Sequence, residues 1–146
     1  MSKKEQVEQM TRYMANFVSY VGKKLPDDVE KKLGELAEQE GSPLSKVIYS
    51  TMKRNQNLAM ELNRPCCQDT GVLQFWVKCG TGFPLIGELE ALLKEAVVIA
   101  TKEAPLRHNS VETFDEYNTG KNVGKGTPTV FWDIVPDSDK FEILPF

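Results

Sequence analysis

No apolar run in the sequence reaches the length that a membrane-spanning helix requires. The opening residues, Met1-Ser2-Lys3-Lys4-Glu5-Gln6, lead into an amphipathic pattern and not into the apolar core of a signal peptide, so the expected compartment is the cytoplasm. Basic clusters are missing as well. Lys+Arg is 18 against Asp+Glu 21, a formal net charge of -3. A chain without clustered cations is poorly suited to phosphate backbones, so neither nucleic acid nor membrane is an expected partner. Histidine is down to a single residue, His108, and cysteine to Cys66, Cys67 and Cys79. An odd thiol count without an export signal argues against a disulfide framework. Buried thiols, a reactive thiol or metal ligation remain. Internal repeats, low-complexity tracts and clear domain boundaries are absent too, and 146 residues suit one domain with a sizeable core.

What is present begins with helical periodicity. Val7, Met10, Met14, Phe17, Val18 and Val21 recur at three- and four-residue steps and predict a helix over about 4–23. Pro26-Asp27-Asp28 opens a second, because proline fits the first turn and carboxylates favour the positive dipole end. Val29, Leu33 and Leu36 carry its stripe, and Gly41 is expected to end it. Ser42-Pro43 opens a third helix whose apolar face runs through Leu44, Val47, Ile48, Leu58 and Leu62 to about Asn63. After the turn at 64–71, the run from Val72 to Cys79 reads as a buried strand. A helix follows over about 87–102. Residues 103–128 form a long irregular stretch, which in a compact domain is functional or disordered. Thr129–Val135 and Phe141–Leu144 read as two more strands. The apolar end, Leu144-Pro145-Phe146, predicts a strand that something else must cover. The expected architecture is α+β: a helical amino-terminal half packed on a small mixed sheet, incomplete at the C-terminus.

Several chemical motifs fail on inspection. Gly120 to Thr127 has the outline of a phosphate loop, but one residue is missing between the glycines, and Gly126 separates Lys125 from Thr127. Gly80-x-Gly82 lacks the third glycine of a dinucleotide site. A zinc site would have to combine Cys66, Cys67, Cys79 and His108, and adjacent cysteines are a poor substitute for paired knuckles. A Cys67–His108 nucleophile pair is chemically conceivable but has no supporting local signature.

Two turns survive. Cys67-Gln68-Asp69-Thr70-Gly71 presents a thiolate that could bind a soft metal or iron–sulfur cluster, with a carboxylate two residues on. Arg107-His108-Asn109 offers a planar fork for a carboxylate. The residues alone also allow a blander account: Cys67 a buried thiol, Asp69 a turn cap and Arg107 a surface ion pair.

The run Leu62-Asn63-Arg64-Pro65-Cys66-Cys67-Gln68-Asp69-Thr70-Gly71 resembles the first cluster-ligand motif of the iron–sulfur-dependent class I fumarases and L(+)-tartrate dehydratase alpha subunits. Ala104-Pro105-Leu106-Arg107-His108-Asn109 is similar to that family's carboxylate-binding loop. Phe114 to Asn122 and Trp132 to Asp137 follow in the family's order. The resemblance covers most of the chain and is most specific from about Leu62 to Asp137, while Leu25-Pro26-Asp27-Asp28 looks closest to the tartrate dehydratase alpha subunit.

That resemblance implies a hydro-lyase acting on a small hydroxy-dicarboxylic acid, through a [4Fe–4S] cluster whose open iron serves as a Lewis acid. The substrate would be L(+)-tartrate or the malate/fumarate pair. Cys67 would be one thiolate ligand, with Cys66 a buried neighbour and Cys79 packed in its strand. Gln68 and Asp69 would approach the substrate, Asp69 as the catalytic candidate. Arg107 would clamp one carboxylate, while His108 and Asn109 support its loop. The family pattern places the other two cluster cysteines further along the alpha region, and neither Cys66 nor Cys79 stands in their positions. The chain is accordingly expected to be the amino-terminal part of the alpha domain. Its partners would be the remainder of that region and a beta subunit or domain, in an oligomer. The alternative is a non-catalytic fragment serving as an oligomerisation or partner-binding module. A Cys–His hydrolase unrelated to the family is a further alternative.

Overall fold

The structure, a computed structural model, describes residues 1–67, 72–112, 114 and 116–145. Three helices come first: α1 (Lys3–Lys23), α2 (Asp27–Gln39) and α3 (Pro43–Glu61). Strand β1 (Gln74–Gly80) and helix α4 (Leu89–Glu103) follow. A two-stranded ladder, β2 (Val111–Glu112) with β3 (Tyr117–Asn118), precedes strands β4 (Thr129–Val135) and β5 (Phe141–Pro145). Among the described residues no helix is long and apolar enough to cross a membrane.

The sheet is mixed, in the order β4-β1-β5. β1 runs parallel to β4, with Gln74 opposite Thr129 and Gly80 opposite Val135. It runs antiparallel to β5, with Phe75 opposite Pro145 and Cys79 opposite Phe141. β1 alternates cleanly: Phe75, Val77 and Cys79 are buried, while Gln74, Trp76 and Lys78 are exposed. Its buried face meets Leu89, Leu92, Leu93, Ala96, Val97 and Ala100 of α4. α1 lies on α4, and its Val18 enters the same core. The architecture is α+β, as expected.

Within the helical half the packing is uneven. Only α1 joins the core against α4; α2 packs chiefly on α3, which touches α1 lightly. α2 has no buried residue, and α3 buries only Ala59. The stripes on α2 and α3 set the helices but do not find the sheet.

Three boundaries also differ. α2 ends at Gln39 with Gly41 just past its cap, but the stop itself differs: Glu40 is extended and its carboxylate accepts the Ser42 N–H (2.9 Å), with no left-handed glycine. β1 starts at Gln74 and not at Val72, since the ladder pairing with β4 begins at Gln74 opposite Thr129. The stretch 103–128 holds the β2–β3 ladder, which is too short to show as a pattern in sequence.

A close crossing fixes the far end of β1. The Gly80 N–H donates to the Lys140 carbonyl (2.9 Å), Thr81 to Val135 (3.0 Å) and Gly82 to Ser138 (2.8 Å). A Cβ on Gly80 would lie 2.0 Å from the Ser138 carbonyl oxygen. Only glycine permits that approach.

Candidate functional site

The topology decides where a site can form. Because β4 is parallel to β1, α4 must carry the chain from the carboxyl end of β1 back to its amino end. The segment leaving α4 therefore meets the segment entering β1. Those are the Arg107 and Cys66-Cys67 turns.

The first turn is set by the end of α3. Leu62 N–H donates to the Leu58 carbonyl (2.9 Å), and Arg64 N–H to the Ala59 carbonyl (2.9 Å). Between them Asn63 takes a left-handed φ of 52°. This is a Schellman stop, with asparagine at a position that otherwise favours glycine. The Asn63 side chain then bridges two other helix ends. Its Oδ1 accepts from Lys23 Nζ (2.7 Å), and its Nδ2 donates to the Glu103 carbonyl (3.0 Å). Beyond it, the Cys66 N–H donates to the Gly22 carbonyl (3.0 Å), and Asn55 Nδ2 donates to the Cys66 carbonyl. The Cys66 peptide is thus held between α1 and α3. Its thiol is half-buried, and that of Cys67 is exposed.

The second turn leaves α4 through Leu106, whose N–H donates to the Thr101 carbonyl (3.2 Å) and whose side chain joins the core. The backbone beyond is held by two asparagine side chains. Asn122 Nδ2 donates to the Arg107 carbonyl (2.8 Å), and Asn122 Oδ1 accepts the Asn109 N–H (2.9 Å). Asn118 Nδ2 donates to the His108 carbonyl (2.6 Å). The side chains of Arg107 and His108 are left exposed.

A cavity of about 150 Å³ lies between the two turns. Val18, Val21, Leu73 and Leu106 give it apolar walls, and Cys66, Arg107, Ser110 and Asn122 supply its polar groups. It is smaller than the ~300–1,000 Å³ of drug-sized pockets and so suits a small ligand. Burial pushes the Cys66 thiol up from its ordinary pKa, and the adjacent Cys67 adds to the shift. Cys66 is therefore a protonated, weakly polar wall at neutral pH.

A metal cluster is a harder fit. Among the described residues no group of three or more His, Cys, Asp or Glu could hold a metal. Cys79 is fully buried against α4, with its Sγ 3.6 Å from the Gly80 carbonyl oxygen. It lies near the carboxyl end of β1, about 16 Å from the strand's start at ~3.3 Å per residue. It cannot join Cys67. The described side chains do not by themselves make a cluster site, and Cys67 offers one exposed thiol toward it.

With this geometry in place, the comparisons with known proteins are decisive about ancestry. A family-wide sequence model described as fumarate hydratase (Fumerase) matches residues 11–146. The chain belongs to the fumarate hydratase family. It is 53% identical over 142 residues to the L(+)-tartrate dehydratase subunit alpha of Escherichia coli strain K12. The same figure holds for the subunit of that name from Shigella boydii serotype 4 strain Sb227. Each alignment covers 97% of this chain and 47% of the relative. A Geobacillus stearothermophilus protein, whose name assigns it provisionally to class I fumarate hydratase, is 31% identical over 125 residues, 85% of this chain and 24% of its own length. The chain thus spans about half the length, or less, of the curated relatives it matches.

Against this family frame the expected site residues divide. Cys67 lies on the first turn and Arg107 on the second, and the two turns share one cavity. Gln68 and Asp69 lie outside the described residues. His108 and Asn109 enter the hydrogen bonding of the loop through their backbones. The residues that sequence reading missed are Asn122, Asn118, Thr101 and Asn63. For the asparagines the sequence offered only the mark of a turn, two residues on either side of Gly120 and at the end of an apolar helix stripe, with no sign of their distant partners; for Thr101 it offered none.

Proposed function

We propose that this chain is the amino-terminal half of the alpha region of a hydro-lyase that acts on a small hydroxy-dicarboxylic acid, L(+)-tartrate or malate/fumarate. Arg107 binds one carboxylate by its bidentate fork. Gln68 and Asp69 approach the same ligand, Asp69 moving a proton. Cys67 is one thiolate ligand of a [4Fe–4S] cluster. The other thiolates come from the remainder of the alpha region, and a beta subunit or domain completes the oligomer.

The observation that carries this reading is the shared cavity. Cys66, whose neighbour is Cys67, and Arg107 line one small pocket although they are distant in sequence. The family membership and the tartrate dehydratase relatives support the choice of substrate class.

The test uses the 146-residue chain itself. L-tartrate, malate and fumarate are titrated while Arg107 and its neighbours are followed by NMR. Binding that is lost in Arg107→Ala, with the unfolding midpoint unchanged, is the expected result; equal binding by the variant overturns the carboxylate role. Anaerobic reconstitution with iron and sulfide should yield no stable cluster in this chain alone. A stable cluster that survives in Cys67→Ser would remove the assignment of Cys67.

A second reading, as a partner-binding module, is favoured by the open face of the sheet. Trp76 stacks on Phe131 there with ring centroids 4.6 Å apart, and Leu144 lies opposite Trp76 on β5. All three are exposed. Contiguous exposed apolar surface of this kind marks contact sites. Sedimentation of the chain, and of Trp76→Ser, separates the two: concentration-dependent association abolished by the substitution supports the module, and a monomer at all concentrations opposes it.

A further inference from the structure

The second turn owes its shape to a side chain from elsewhere. Asn122 is buried, 6% exposed, and its φ of 56° is left-handed, a conformation that asparagine tolerates better than most residues. All the hydrogens of its amide are used. Nδ2 donates to the Arg107 carbonyl (2.8 Å) and to Thr101 Oγ1 (3.2 Å), while Oδ1 accepts the Asn109 N–H (2.9 Å). The two loop contacts are to the peptide groups on either side of His108. A single side-chain amide thus pairs both peptide groups, in place of backbone partners. An amide flipped by 180° would set its NH₂ against the Asn109 N–H, so the orientation is determined.

The opposite end of the clasp is rigid. Thr101 is buried on α4, within the core, and its hydroxyl also reaches the Lys121 carbonyl (3.4 Å). A continuous route therefore runs from the α4 core through Thr101 and Asn122 to the Arg107 peptide. Gly120, with φ 67°, brings the same loop close to the His108 ring: a Cβ added there would lie 3.6 Å from Nδ1.

We propose that Asn122 is a positioning residue, which through its clasp on residues 107–109 and its anchor on Thr101 presents the Arg107 guanidinium to one carboxylate of the dicarboxylic acid. This rests on the reading of Arg107 as the carboxylate clamp. Preorganisation of this kind raises affinity by removing the ordering cost of a loop from the binding step.

The test compares wild-type chain, Arg107→Ala, Asn122→Gly and Thr101→Val in titrations with L-tartrate, following the Arg107 Nε–H resonance wherever the arginine is present. Glycine suits the left-handed backbone, so Asn122→Gly removes the clasp without adding strain. Thr101→Val removes the anchor hydroxyl with little change in shape, and so keeps the question open should Asn122→Gly fold poorly. Asn122→Gly is expected to bind about tenfold more weakly, and Thr101→Val about threefold. The shift of the Arg107 resonance at saturation should also shrink in both, a change that mere destabilisation would not produce. Wild-type affinity and an unaltered saturating shift in both variants would overturn the proposal while leaving Arg107 as the clamp. Should Arg107→Ala bind as tightly as wild type, or the wild-type chain show no binding, the functional reading falls and the proposal with it.

Discussion

Two helical regions of this protein carry equally regular apolar stripes and meet opposite fates. α4 buries Leu89, Leu92, Leu93, Ala96, Val97, Ala100 and Thr101 between the sheet and α1. The α2–α3 hairpin leaves Val29, Leu36, Leu44, Val47 and Ile48 exposed. Periodicity makes a helix amphipathic in both cases, but the free energy of that face is realised only where a second surface removes it from water. α4 has two such surfaces, α1 and β1. α2 and α3 have chiefly each other.

The strongest test of this contrast is truncation of matched side chains. Leu93→Ala should cost about 2–5 kcal/mol in denaturant unfolding, while Ile48→Ala, already half-solvated, should change stability by less than about 0.5 kcal/mol. A large loss at Ile48 would mean that the hairpin is covered in solution. Next in size is Gly80→Ala. The new methyl meets the Ser138 backbone and not a flexible side chain tip, so an overpacking loss of about 1–3 kcal/mol is expected from the same unfolding curves. Gly34→Ala, with open space around it on α2, should stabilise by about 0.5–1 kcal/mol.

Hydrogen exchange sharpens the comparison without mutation. Amides of α4 should exchange only through global unfolding, and those of α2 and α3 through cheaper local opening. Equal protection would show one cooperative unit. The smallest expected effect is electrostatic. Burial raises the thiols of Cys66 and Cys79, so each holds its proton longer folded than unfolded. Their contribution is complete below the unfolded thiol pKa of about 8.5 and is lost as pH rises through the higher folded values. The denaturation midpoint should therefore fall between neutral and alkaline pH, with a shallower fall in Cys79→Ala. Alkylation should reach exposed Cys67 first and Cys79 last, as read by mass spectrometry.

Much of the fold could be read in advance because its signals are local. Proline with two aspartates starts α2 at Asp27, Ser42-Pro43 starts α3, and the run 129–135 matches β4 residue for residue. Gly41 does stand just past the Glu40 cap of α2, but an extended Glu40 and not a left-handed glycine makes the stop. Nothing local could have told that Asn63 caps α3 while bridging Lys23 and Glu103, or that Asn122 clasps the Arg107 turn. Both asparagines look like ordinary loop residues until distant backbone groups are brought to them. The turns holding Cys67 and Arg107 were legible from residue type and motif order. Their meeting was not.

The amino-acid sequence by itself determined the type and order of the four helices and of the three strands of the main sheet, the family, and the two turns that bear the candidate chemistry, since these depend on periodicity, capping and motif spacing along the chain. Tertiary structure alone decided which apolar stripes become core, why Cys66 and Arg107 face one cavity, and that a buried asparagine shapes the arginine's turn. The physical reason is connectivity. A parallel β1–β4 pair forces α4 to return the chain to the amino end of the sheet. That return, and no local preference, brings the two turns together.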